Sequence, residues 1–161
     1  MNLQAMQLYP VMHRYATELQ TLHPSVVYTS GRRDLQQQAH AMACNVVSNR
    51  QWISRTYRHA AALQTAVDYH PDCVTVPQIE LLLVRTMQQM DPEELAKVSD
   101  HLAGLAVDLA PMEDGAGQLT PEGQAVYGWI FRCADTKWFT TREGGLTRWH
   151  WSVKLPIATE V

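Results

Sequence analysis

The chain has 161 residues, of which 46% are hydrophobic and 18% are charged. This composition excludes a disordered tail and suffices for one domain, residues 1–161, with a substantial core. The formal net charge of -3 gives no electrostatic reason to expect nucleic-acid binding.

The three cysteines and the first residues bear on where the protein is made. Cys44, Cys73 and Cys133 are scattered and form no CxxC pair, which argues against a disulfide framework and against a cysteine-rich zinc site. The first residues lack a positive start followed by an apolar run, and no stretch approaches the length of a membrane span. We therefore expect a soluble chain made in the cytoplasm without a signal peptide.

The first two thirds of the chain are predicted to be mainly helical. Pro10 is expected to kink or restart the first helix, and Ser54 is a candidate N-cap for the third. A β-branched run at 26–29 predicts a strand that the turn Ser30-Gly31 ends. Hydrophobic spacing predicts helices over 3–20, 34–48, 54–69 and 77–90, and a short acidic helix that begins at Asp91.

The last third of the chain contains most of the predicted strands. Residues 104–109 alternate like a strand, and a helix is predicted over 120–137. Strands are predicted at 138–141 and 148–153, joined by a turn at Gly144-Gly145. The loop at 111–117 is expected to be a solvated turn, and the alternative is a loop that borders the cleft. Helices followed by a few late strands predict an α+β fold.

Three side chains form a candidate metal site. In the strand 104–109, Asp108 projects from the face whose other residues are small, and a lone carboxylate there is costly to desolvate without a partner. His101 lies seven residues earlier, and His150 lies on the polar face of the last strand. Two His and one Asp leave a fourth tetrahedral position open, as in catalytic zinc sites. Taken singly, Asp108 as a turn cap and His150 as a core histidine are the alternatives.

The same residues carry a resemblance to a known family. The pattern SxHxxGxAxD, filled by Ser99, His101, Gly104, Ala106 and Asp108, resembles the zinc motif of the D-Ala-D-Ala carboxypeptidase and L-alanyl-D-glutamate endopeptidase family. Ser30-Gly31-Arg32-Arg33 resembles its Ser-Gly-Tyr-Arg element, and Trp149-His150 resembles its final ligand strand. The resemblance implies a hedgehog/DD-peptidase-like fold, with a small antiparallel sheet that carries Zn²⁺ and packs against helices.

The resemblance also implies roles for two further residues. Arg33 matches the position that contacts the substrate and stabilises charge on the scissile carbonyl, with Arg32 as the alternative. Many family members place the general base three residues before the final His, where this chain has Thr147. Glu143, across the Gly144-Gly145 turn, is the nearest upstream carboxylate and the candidate base. The alternative is an exposed hairpin glutamate.

These observations predict a zinc peptidase that cleaves a peptidoglycan stem-peptide bond. Compact size and the missing signal fit a monomeric phage or prophage endolysin that a holin releases to the periplasm or cell wall. A D-Ala-D-Ala dipeptidase or carboxypeptidase is the first rival. The second is a catalytically weak wall-binding or phage structural module, which Thr147 favours. We expect no nucleic-acid partner and no membrane insertion.

Overall fold

The computed structural model describes residues 2–155 and confirms the predicted α+β class. This part of the chain contains a 3₁₀ turn at Leu3–Met6, seven α-helices and one four-stranded sheet. The helices are α1 (Pro10–Leu22), α2 (Leu35–Val46), α3 (Trp52–Thr56), α4 (Ala61–Tyr69), α5 (Val76–Gln89), α6 (Pro92–Val98) and α7 (Pro121–Arg132). The strands are β1 (Tyr28–Ser30), β2 (Ala106–Leu109), β3 (Thr136–Glu143) and β4 (Leu146–Val153).

The chain divides into two compact units. The first consists of the segment that ends at Arg32 and the segment that begins at Ala103, and it contains the sheet. The second is the continuous stretch Arg33–Leu102, which contains α2 to α6. Whether residues 1–161 fold as a single domain stays a prediction.

The sheet of the first unit is antiparallel throughout, in the order β1-β2-β4-β3. Gly144 and Gly145, both with positive φ, form the two-residue loop of the β3–β4 hairpin. A two-residue loop with positive φ at both positions is the turn that matches the twist of paired strands, and glycine adopts it without strain. The predicted hairpin is therefore present, with both strands longer than expected.

One face of this sheet packs into the hydrophobic core of the first unit. Trp149 and Trp151 both point to that face and are fully buried, while the polar residues between and after them in β4 point to the opposite face. The core also contains side chains from the 3₁₀ turn, α1 and α7, among them Met6, Met12, Leu19, Val126 and Ile130. Burying two indole rings in one strand fixes which face of β4 points inward, and hence where His150 points.

The second unit packs its helices around a separate core. Asp34 is the N-cap of α2 in a capping box: its carboxylate accepts from the Gln37 backbone amide at 2.7 Å, and the Gln37 side-chain oxygen accepts from the Asp34 backbone amide at 3.0 Å. Fully buried residues of α2, α4 and α5 meet in this core, including Met42, Leu63, Ile79, Leu83 and Met87.

The helix predicted over 54–69 is wrong, since α3 ends at Thr56 and α4 begins at Ala61. Gln64 explains the break. Its amide nitrogen donates to the Arg50 carbonyl at 3.1 Å, and its oxygen accepts from the Ser54 amide at 3.0 Å. These bonds tie α4 back onto the start of α3. Ser54 lies inside α3 and does not cap a helix.

Candidate metal centre

Four residues form a row across the sheet on the face opposite the two buried tryptophans. The strand pairing places Ser30 opposite Asp108, Asp108 opposite His150, and His150 opposite Thr140. Residues paired in this way share a face of the sheet and lie about 4.5–5.5 Å apart. We call this the ligand face, because it carries two of the three predicted metal ligands.

His101 is held in the tight turn that follows α6. Its amide donates to the Ser99 hydroxyl at 3.3 Å, and the Leu102 amide donates to the Ser99 carbonyl at 3.1 Å. The carbonyl of His101 accepts from the Arg33 amide at 3.0 Å. The turn therefore fixes the backbone of His101 from both sides, and the imidazole is buried.

The three predicted ligands come together. His101, Asp108 and His150 each offer one ligand atom, and these atoms lie within 4.8 Å of one another. Asp108 is 5% exposed, and His150 Nδ1 lies 3.0 Å from its Oδ1. A carboxylate this deeply buried needs a compensating charge or hydrogen bonds. The group can hold a metal ion.

The donor set fits a zinc ion. Zinc bonds to His nitrogen and Asp oxygen are about 2.0–2.2 Å long, so tetrahedral ligand atoms lie about 3.4 Å apart. The ligand atoms of His101, Asp108 and His150 lie within 4.8 Å of one another, a separation of the same order. Three protein ligands leave one position for water or substrate, whereas structural zinc sites close with a fourth. The same ligand types also bind other divalent ions.

Gly104 has a structural reason to be glycine in this motif. Its φ is +72°, and an added Cβ would lie 3.0 Å from the Tyr9 amide nitrogen and 3.1 Å from the Gln7 carbonyl oxygen. Its own carbonyl accepts from the Tyr9 amide at 2.9 Å. Neither backbone neighbour can rotate away as a side chain would. Glycine therefore lets the chain turn from His101 into β2.

We expect Gly104→Ala to lower the free energy of unfolding by about 1–3 kcal/mol, the cost of a left-handed residue with a Cβ in a crowded site. Urea denaturation measures it. Gly115→Ala is the matched control, since nothing lies within 4 Å of its added Cβ, and it should stay within about 0.5 kcal/mol of wild type. Equal stability of the two variants would contradict the assigned strain.

Arg33 lies between β1 and α2 and is half-buried. Its backbone is tied to His101 by the amide bond described above. Its guanidinium Nη1 lies 3.4 Å from the Gln38 side-chain oxygen. The Arg33 backbone is therefore bonded to His101, one of the predicted metal ligands, and its guanidinium donates to the uncharged side chain of Gln38. Arg32 is exposed.

Glu143 lies at the end of β3, opposite Leu146 beside the hairpin turn. Its carboxylate pairs with Arg148 at 3.3 Å and is 17% exposed, so it is not a fully solvated glutamate. The β3–β4 pairing is irregular between Thr140 and Arg142. This irregularity separates Glu143 from Thr140, the residue of β3 that pairs with His150. Thr147 is exposed opposite Arg142.

The sequence did not reveal the role of Glu113. Its carboxylate accepts two bonds from the Arg142 guanidinium, at 2.6 and 2.8 Å, and one from the Trp149 indole at 3.2 Å. The Arg142 guanidinium holds the pKa of the Glu113 carboxyl below its usual value. Glu113 therefore ties the loop after β2 to β3 and β4, and the expected solvated turn is wrong at this residue.

No protein-family model, no curated protein and no solved structure matches this chain. No helix within residues 2–155 is long and apolar enough to cross a membrane.

Proposed function

We propose that this protein is a zinc-dependent peptidase that cleaves a bond in the stem peptide of peptidoglycan. The observation that carries the proposal is the convergence of His101, Asp108 and His150, all within 4.8 Å. Two of them lie on paired strands, and the third lies in a turn that Ser99 stabilises. A site with three protein ligands and one open position is typical of catalytic zinc.

The sequence resemblance adds the substrate class and the fold family to this proposal. The motif residues that are not ligands have structural roles compatible with it. Ser99 accepts from the His101 amide, Gly104 occupies a position that strains other residues, and Ala106 is a small buried residue on β2. A small antiparallel sheet carrying Asp108 and His150 is what a hedgehog/DD-peptidase-like fold requires, so we include that fold in the proposal.

The chemistry divides among the residues of this chain. His101, Asp108 and His150 hold the ion, which when bound supplies Lewis-acid polarisation of the scissile carbonyl and lowers the pKa of water. Glu143 takes a proton from the attacking water and returns it to the leaving amine. Arg33 donates to the carbonyl oxygen as negative charge develops there, since a guanidinium fork suits an oxyanion.

Mass spectrometry of fragments released from purified Gram-negative peptidoglycan tests the proposal directly. New peptide termini that vanish when a chelator is added and return with zinc are the expected result. The termini identify the bond, which separates L-Ala-D-Glu cleavage from removal of D-Ala. The absence of any fragment from a zinc-loaded protein would contradict peptidase activity.

Glu143→Gln should lower kcat by about 100-fold while zinc content stays unchanged, because general acid–base catalysis typically contributes 10²–10⁴-fold. The amide keeps the size of the side chain and loses the proton-accepting charge. Release of labelled peptide measures kcat, and mass spectrometry of the metal measures zinc. Glu94→Gln, at an exposed glutamate in the first turn of α6, is the control. Unchanged turnover in Glu143→Gln would remove this residue as the base.

A second candidate function has a specific observation in its favour. The position usual for the base is Thr147, and the Glu143 carboxylate already pairs with Arg148. Both features fit a module that binds the cell wall, retains the ion for stability and cleaves weakly. Binding to peptidoglycan without chelator-sensitive release would identify this function.

The biological setting belongs to the same proposal. We place the protein among monomeric phage or prophage endolysins that are made in the host cytoplasm and act on the wall after holin release. A D-Ala-D-Ala dipeptidase or carboxypeptidase that acts on precursors is the enzymatic alternative. Release of D-alanine from soluble precursors, without attack on intact peptidoglycan, would favour that alternative.

A further inference from the structure

An exposed tryptophan lies next to the candidate metal ligands on the ligand face. Trp138 of β3 pairs with Ser152 of β4, and Thr140, two residues later, pairs with His150. Trp138 is therefore a diagonal neighbour of His150, at about 7–8 Å across the hairpin. The Trp138 side chain is 55% exposed, whereas Trp149 and Trp151 on the opposite face are fully buried.

An irregularity in the strand pairing puts Trp138 on this face. Thr136 pairs with Val153, so regular pairing would place Lys137 opposite Ser152 and Trp138 opposite Trp151. Instead β3 contains one extra residue, and Trp138 itself faces Ser152. A bulge of this kind turns a side chain from one face of a sheet to the other. Without it, Trp138 would lie on the side of the hydrophobic core.

The strand neighbours of Trp138 on the ligand face are small or polar residues. Its row on the ligand face continues through Ser152 to Ala106, and the next row contains Thr140, His150 and Asp108. These two rows place polar groups beside one exposed aromatic ring. A sugar ring fits this arrangement, because its C–H face is attracted to the negative face of the indole while its hydroxyls meet polar neighbours.

Ser152, the strand partner of Trp138, is fully buried. A ligand at this row therefore contacts the exposed ring of Trp138 and does not reach the Ser152 hydroxyl.

We infer that Trp138 is a stacking platform for an amino-sugar ring of peptidoglycan, the sugar to which the stem peptide is attached. This inference rests on the proposed function and adds a second binding contact to the same site. Because Trp138 lies opposite Ser152, which is two positions from His150 along β4, a ring bound there places the first bonds of the attached peptide near the candidate metal ligands. The protein then recognises glycan and peptide together.

Two substrates and three variants test the inference. The substrates are a soluble muropeptide and the same peptide without its sugar. Trp138→Ala should raise KM for the muropeptide about tenfold, as expected for loss of one stacked ring, and leave KM for the free peptide unchanged. Trp138→Phe should recover part of the loss. Phe131→Ala is the matched control, since Phe131 is an exposed aromatic residue on α7, and it should leave both KM values unchanged.

Binding gives a readout that does not depend on turnover. Chelator-treated protein is titrated with the muropeptide by calorimetry, and Trp138→Ala should weaken binding about tenfold. If the wild-type protein cleaves the muropeptide but Trp138→Ala binds it as tightly as wild type, the inference is wrong and the peptidase proposal stands. If wild type binds the muropeptide through Trp138 but releases nothing, the platform stands and the peptidase proposal fails. Equal losses for both substrates would also overturn the sugar assignment.

Discussion

Replacing His101 with alanine should reduce bound zinc from about one ion per chain to background, because two remaining protein ligands do not make a tight zinc site. Even residues that only orient metal ligands cost 10–100-fold in affinity when they are changed, so we expect a loss of at least about 100-fold here. Peptidase activity should fall with zinc occupancy and should not return at ordinary zinc concentrations.

The experiment is mass spectrometry of the metal in protein purified with zinc, followed by competition with a chromogenic chelator. His59→Ala is the matched control, since His59 is an exposed histidine outside the cluster. Asp108→Asn is a second test, because the amide keeps the shape of the carboxylate and loses its charge. Full zinc content in His101→Ala would show that the cluster is not the metal site.

The second large effect is expected at Trp151. Its ring is fully buried, lies edge-on to Trp129 with centroids 5.8 Å apart, and its indole N–H donates to the Thr136 hydroxyl at 3.1 Å. Trp151→Ala should lower the free energy of unfolding by about 3–5 kcal/mol, since it combines lost burial with a cavity. Domains of this size are stable by about 5–15 kcal/mol in total, so much of the fold's stability depends on this ring.

Thermal and urea unfolding measure this loss, with Trp138→Ala as the control of the same chemical type on the neighbouring strand. Because the Trp138 side chain is mostly exposed, its removal should cost less than about 1 kcal/mol. Trp151→Ala should also weaken zinc binding, since Trp151 adjoins His150 and fixes the face to which that ligand points. A fully stable Trp151→Ala variant would contradict the packing described for the first unit.

Local patterns predicted the parts of the structure that depend on neighbours in sequence. Alternation in residues 104–109 predicted β2 and the side of the strand on which Asp108 lies. Two glycines predicted the hairpin turn, and Pro10 predicted the restart that begins α1 after the 3₁₀ turn. The cluster of His101, Asp108 and His150 was also predicted, from the alternation of the two strands and the residue types on their polar faces, and the resemblance of the motif supported it.

Features that depend on distant contacts were missed. The break between α3 and α4 depends on the hydrogen bonds of the Gln64 side chain with the backbone of Arg50 and Ser54. The spacing of hydrophobic residues does not indicate these bonds. Glu113 is held against the sheet by hydrogen bonds from Arg142 and Trp149, which lie 29 and 36 residues later in the chain. The bulge before Trp138 is equally hidden, because one extra residue reverses the face of every following side chain without altering composition.

The first and last residues of the second unit lie close together, and this affects how the segment can change during evolution. The Arg33 amide is bonded to the His101 carbonyl at 3.0 Å, so this unit begins and ends at nearly the same point. A segment with adjoining ends can be lengthened, shortened or exchanged as a cassette without stretching the chain that flanks it. We therefore expect the interior of this segment to tolerate changes of length and sequence as long as its two ends remain bonded.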